Sequence, residues 1–427
     1  MNNPKEVEDG KKPALTQMGP FTYRKETERV EEIFHDIGTF SYKTRKFWYF
    51  LDDESLDLDT IICTIDIPVV AGAEYARGSW FNEMSMDAAF DFAFKESVFI
   101  NKTARELLFD GYEDPLMTMG SLFAKKGDIP KDKFGWFYKR NGTTWSDGVV
   151  NMATGAADFE DVGTIKLWHG RNRTIYPDKC GELRGTSAGF TYPKPDREFI
   201  DYFSTDICKP IRFEKTNYVD VEGINATMYS LLPQNTFGNS ETNSENYCYH
   251  ANFPPGMHNS TGCKGGDTTL KTFVSLPHFL GADSFYRDQF SEGSMAPDPA
   301  KHSASISIQP ETSIPVQVLM RLQIIIQIRS NPTIGTFLSN LPELFLPVFW
   351  FDAVAAVTPD LASEVSMITM IPKAAEVVGI SSLLVGLGFL ALFLWLHYVR
   401  PKYQNKDKSL QMNHREKVSM DVDLKQI

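Results

Sequence analysis

The sequence predicts an α+β protein: a large, mostly strand-built ectodomain with one aromatic-rich helical region, followed by one C-terminal transmembrane helix. Three observations predict it. Residues 377–399, VVGISSLLVGLGFLALFLWLHYV, run for 23 residues without Asp, Glu, Lys or Arg. Ahead of them, short runs rich in β-branched and aromatic residues recur between Gly, Pro, Asn and Asp turns. Five Asn-x-Ser/Thr sequons and all five cysteines precede the apolar run, and none follows it. The 427 residues carry a formal charge of −12, which excludes a general nucleic-acid binder. Hydrophobic content of 42% with 23% charged residues excludes wholesale disorder. The 31 phenylalanines suit a β-rich core or an apolar cavity.

The N-terminus, MNNPKEVEDGKKPALTQ, has no apolar segment that would act as a secretory signal. Given the orientation argued below, the chain reads as a fragment or short isoform lacking an N-terminal membrane anchor. Strand-like runs follow at 21–26, 39–51, 60–70, 163–170, 272–280, 305–309 and 316–328. The exception is 73–99, AEYARGSWFNEMSMDAAFDFAFKESVF, which reads as one or two amphipathic helices. Its aromatics, Trp80, Phe81, Phe90, Phe92, Phe94 and Phe99, either pack on the sheet or contact an apolar ligand.

A helix over 377–399 would be roughly 34 Å long, enough to cross a bilayer core of about 30 Å. Arg400, Lys402, Lys406 and Lys408 follow it, whereas Lys373 alone lies close before it. The positive-inside rule therefore places the tail, 400–427, in the cytosol and residues 1–376 outside or in a lumen. Trp395 and Tyr398 sit at interfacial positions. Gly379, Gly386 and Gly388 would let a homo-oligomer pack closely, although no strict GxxxG is present. The tail has a net charge of +3 and no apolar periodicity, so a solvated extension is expected.

The sequons, at Asn101, Asn141, Asn172, Asn225 and Asn259, mark a glycosylated ectodomain. Cys180, Cys208, Cys248 and Cys263 read as two disulfides with three connectivities open. Cys63, inside an apolar run, reads as a buried free thiol. Zinc is disfavoured: Cys248, His250, His258 and Cys263 match no established finger spacing. No GxSxG, HExxH, Walker or kinase motif occurs. No enzyme activity, metal or cofactor is expected.

Several motifs together resemble the class B scavenger receptor family, which includes lipoprotein receptors, fatty-acid translocases, a lysosomal membrane protein and insect sensory neuron membrane proteins. They are NPKEVEDGKKPALTQMGPFTYR at 3–24, TARELLFDGYEDP at 103–115, FSTDICKPI at 203–211, NYCYH at 246–250, CKGG at 263–266, SLPHFL at 275–280, RLQIIIQI at 321–328 and PVFWF at 347–351. They stand in family order across the whole ectodomain. The resemblance implies an irregular antiparallel β-barrel, a membrane-distal apical helical bundle that includes 73–99, and an internal lipid tunnel. It implies the pairs Cys180–Cys248 and Cys208–Cys263. It makes Lys95 the leading apical cation for anionic ligands, ahead of Arg77 and Lys102, with Trp80, Phe90 and Phe94 as apolar ligand contacts. QPETS at 309–313 departs from the family's EPxTG-like turn, NYCYH lacks a second cysteine, and the tail has no dileucine signal.

The function these readings give is a plasma-membrane receptor that binds lipids, fatty acids or lipoprotein particles and passes hydrophobic cargo to the membrane. The alternatives are a recognition receptor for apoptotic cells or microbes, and a lumenal trafficking receptor for another protein.

Overall fold

The computed structural model describes residues 1–121, 132–144, 147–187, 197–249, 253–263 and 270–423. It divides into two compact units, Met1–Thr358 and Pro359–Ile427.

The principal elements of the first unit, in chain order, are β1 (Tyr23–His35), β2 (Thr39–Phe50), β3 (Ile61–Ile65), α1 (Ile67–Ala76), α2 (Trp80–Phe92), β4 (Phe99–Thr103), β5 (Val149–Ala153), β6 (Ile165–Trp168), β7 (Phe199–Ser204), β8 (Lys209–Val221), β9 (Ile224–Leu231), β10 (His258–Asn259), β11 (Thr272–Ser275), β12 (Ser305–Ile308), β13 (Pro315–Ile328) and β14 (Leu344–Ala356). Every ladder between them is antiparallel. One sheet has the order β1-β2-β5-β6, and β3 pairs with β4. The large sheet runs β10-β11-β13-β12-β9-β8-β7, with β14 also on β13.

β13 organises the large sheet. On one edge it bonds to β14, from Gln317–Ala356 to Ile328–Leu344. On the other edge its first half meets β12 and its second half meets β11. Its RLQIIIQI run places Ile325, Ile326 and Ile328 in the main core beside Phe273, Phe279, Tyr286 and Phe345. Phe273, Phe345 and Phe253 meet edge to face at 5.1–5.7 Å, a favoured aromatic geometry. A second apolar cluster lies between β8, β9, β12 and β13, and a third between the two larger sheets.

Two expected strands end early, both at proline. The 60–70 run stops at Ile65 and becomes α1, with Pro68 in the first turn, where its missing N–H has no partner to lose. The 272–280 run stops at Ser275, and Pro277 starts a 3₁₀ turn. Conversely, the long β8–β9 hairpin and β14 escape sequence-based reading. Solvent-facing charges dilute the apolar signal of β8, and Pro347 interrupts β14. The structure tolerates that proline because the β13–β14 register shifts beside it.

In the second unit, α3 (Pro359–Leu394) continues through a widened turn at Trp395–Val399 into helix Arg400–Asp423. Among the described residues this is the helix long and apolar enough to cross a membrane. Pro401 cannot donate to the carbonyl four residues earlier, and the widened turn just ahead of it absorbs that break. The tail is therefore helical, and it is solvent-exposed through Arg415.

Candidate functional site

The 73–99 region forms two helices, α1 and α2, packed closely enough that a Cβ on Gly72 would stand 2.9 Å from the Met86 sulfur. The α2 helix starts at a Ser79 cap, whose hydroxyl accepts the Asn82 N–H at 3.5 Å. It carries apolar side chains on both its buried and its exposed faces. Trp80, Phe81, Met84 and Phe92 face solvent, while Phe90 is buried in the main core. The helix ends in a Schellman motif: Lys95 N–H donates to Phe90 O at 2.9 Å and Phe94 N–H to Asp91 O at 3.1 Å. That motif requires a left-handed residue, ordinarily glycine, yet Phe94 occupies it with φ +52° and a side chain 89% exposed. A bulky residue held there is strained by about 1–2 kcal/mol. Tyr75 is likewise exposed on α1.

Beneath the rings lies charge. Lys95 is 12% exposed, and its ammonium donates to Asp66 Oδ2 at 2.7 Å and Asp114 Oδ2 at 2.5 Å. Burial alone would lower its pKa, but the two carboxylates outweigh burial and hold it above the ordinary lysine value. Burial pushes the Asp66 carboxyl up, against the pull of Lys95. Asp66 precedes α1, and Asp114 Oδ1 accepts the Leu116 N–H at the start of helix Pro115–Ser121. One lysine thus ties the end of α2 to the starts of two other helices. Arg77 donates to Glu74 Oε1 at 3.0 Å, and Arg329 pairs with the same buried carboxylate. Lys102 pairs with Glu106 at 3.3 Å.

Of the residues expected to contact ligand, Trp80 and Phe94 are presented to solvent, whereas Phe90 is a core residue and Lys95 has its charge neutralised internally. Phe81, Met84 and Phe92 were missing from that set. At 100° per residue, Trp80, Met84, Phe81 and Phe92 share an arc of about 120°, with Phe90 on the opposite side, so the signal was present in the periodicity.

Elsewhere, disulfides join Cys180 to Cys248 and Cys208 to Cys263. Cys63 is free and half-buried rather than fully buried. Asn101, Asn141, Asn172 and Asn225 are exposed, and Asn259 is partly so. No group of metal-ligating side chains occurs among the described residues; His250 and residues 264–266 of the CKGG motif lie outside them. Lys209 is 3% exposed beneath the Tyr249 ring, its ammonium 4.0 Å from the centroid, and donates to Thr236 O and Asn246 Oδ1. Desolvation, then Arg184, lowers it to about 7. A cleft of about 560 Å³ opens beside β13 and β14, lined by residues that include Gln17, His278, His302, Arg321 and Trp350.

The sequence profile of the CD36 family matches residues 1–397. The chain is 26% identical to "Protein peste" of Drosophila melanogaster over 379 residues, 87% of this chain and 67% of that protein. It is 27% identical to "Scavenger receptor class B member 1" of Cricetulus griseus over 402 residues, covering 93% and 76% of the two chains. It is also 27% identical to "Lysosome membrane protein 2" of Rattus norvegicus over 410 residues, covering 93% and 81%.

Proposed function

The chain belongs to the CD36 family, and on that premise we propose that it is a membrane receptor binding lipids or lipoprotein particles through the exposed rings of α1 and α2. The observation that carries this reading is Phe94. The chain holds a phenylalanine in a strained left-handed position, almost fully exposed, just past Phe92, with Trp80 and Phe81 exposed at the other end of the same helix. Neither packing nor backbone preference accounts for that choice, and an apolar patch maintained against such costs marks an interaction site. Cargo taken up there moves through the interior of a barrel-like ectodomain to the bilayer. Met320, Ile324 and Phe351, partly buried on strands of the large sheet against the second apolar cluster, would border that route. The ectodomain lies outside the plasma membrane, glycosylated at the five sequons, with the tail in the cytosol. The transfer breaks no covalent bond and needs no cofactor.

The test is Phe94→Gly in the full chain, purified in detergent. Glycine relieves the strain, so stability rises by about 1 kcal/mol. Binding of a fluorescent long-chain fatty acid and of phosphatidylcholine vesicles falls, and falls further with Trp80→Ser. Undiminished binding by both variants would sink the proposal.

A further inference from the structure

The 560 Å³ cleft contains two imidazoles stacked face to face. His278 and His302 have ring centroids 4.3 Å apart and planes 11° apart. Their proton positions follow from their neighbours. The Trp350 indole N–H, which can only donate, points at Gln17 Oε1 at 3.0 Å. That fixes the amide oxygen toward His278 Nε2, 2.9 Å away, so Nε2 carries the proton and donates. His278 Nδ1 is then bare and accepts the Ala296 N–H at 3.2 Å. His302 Nδ1 likewise accepts the Asp298 N–H at 2.9 Å. Both rings are therefore neutral and serve as acceptors that pin residues 296–302.

An imidazolium carries a proton on each nitrogen. On either ring it would turn Nδ1 from acceptor into donor, facing a main-chain N–H that cannot accept. A second proton would also set two cations 4.3 Å apart. The other charged groups lining the cleft are Asp298 and Lys301 on the pinned segment, Arg321 on β13 and Asp352 on β14. Arg321 ion-pairs with Asp352 at 3.0 Å and donates to Ser303 O at 3.1 Å, so it anchors one end of the segment independently of the histidines.

We propose that the His278–His302 stack is a pH-sensitive latch: protonation releases the Ala296 and Asp298 amides from the two imidazoles and opens that end of the cleft, while Arg321 keeps its hold on Ala300 and Ser303. Burial, then His302, lowers His278; burial, then Lys301 and Arg321 against the opposing Asp298, lowers His302. A folded value below the free one means that the open state binds more protons. The latch is therefore at full strength above about pH 6.5 and weakens as pH falls below it. The inference does not depend on the lipid-binding reading.

Hydrogen exchange on the full chain in detergent, corrected for intrinsic rates, tests it. Protection of the Ala296 and Asp298 amides should fall at least about tenfold between about pH 7.5 and pH 5, while β13 amides beyond the cleft keep theirs. His278→Asn with His302→Asn supplies acceptors that do not titrate near neutrality, so it should hold the protection and flatten its pH dependence. The wild-type series decides even if that variant fails to fold. Unchanged protection would overturn the latch. So would a midpoint below about pH 4.5, which would assign the change to Asp298 and Asp352.

Discussion

The helices of residues 66–121 and the large sheet around β13 share one apolar core, but only the helices also carry large exposed rings and buried ion pairs. In the sheet, Phe273, Ile325, Ile326 and Phe345 are buried together, and apolar burial holds the strands. In the helical region the large rings of Trp80, Phe81 and Phe92 face outward, and charge lies beneath them: Lys95 between Asp66 and Asp114, and Glu74 between Arg77 and Arg329. Hydrophobic surface absent from a core is free to bind something else. Ion pairs whose partners come from separate elements add to the apolar core there, and they hold only while every partner is present.

The sharpest way to break the contrast is Lys95→Ala. It leaves two buried carboxylates uncompensated and should cost about 3–5 kcal/mol in chemical denaturation. Lys95→Ala combined with Asp66→Asn and Asp114→Asn should recover much of that loss. A loss below about 1 kcal/mol for the single variant would mean that the triad supports nothing. The matching change in the sheet, Phe345→Ala, should also cost about 3–5 kcal/mol, by cavity formation, with no variant elsewhere restoring it.

Lys209 separates the regions further, because among the described residues it is a buried cation without a carboxylate partner. Its folded pKa of about 7 lies below the unfolded lysine value, so between the two the unfolded chain binds more protons. Stability should therefore rise as pH climbs from about 7 toward 10 and be insensitive to this group below 7. In Lys209→Met that contribution is absent, so the difference in melting temperature between wild type and variant should itself climb with pH over that window; a pH-independent difference would assign the slope elsewhere.

The smallest expected effect compares two left-handed residues. Ser313, at φ +60° in the turn before β13, stands where the family's EPxTG-like pattern would place glycine. Ser313→Gly should gain about 1 kcal/mol, as Phe94→Gly should, but leave lipid binding untouched. If both variants lost binding, the helical surface would not be the distinctive element.

Much of this was legible in the sequence. The apolar run at 377–399 needs only length and composition, because a bilayer tests each residue of a helix against the same solvent. Sequons and cysteines are covalent signals that require no packing. The β13 strand announces itself because it is apolar on both faces. The aromatic-rich helices were visible too, but not which rings face out, which depends on whether α2 turns Phe90 or Trp80 toward the sheet.

Charge is where the tertiary structure adds most. Lys95 reads as a cation available to a ligand; its partners lie 29 residues before it and 19 after, at the starts of two other helices. The stacked histidines are 24 residues apart in sequence and touch only because β11 and β12, which their segments adjoin, pair with the same edge of β13. By itself the sequence determined compartment signals, the spanning helix, the strongest strands and the family resemblance, since these rest on local composition and covalent chemistry. The tertiary structure alone decided which aromatic rings meet water, which lysine is neutralised and which nitrogens hold protons. Each of those depends on groups that approach within a few ångströms only after long-range strand pairing.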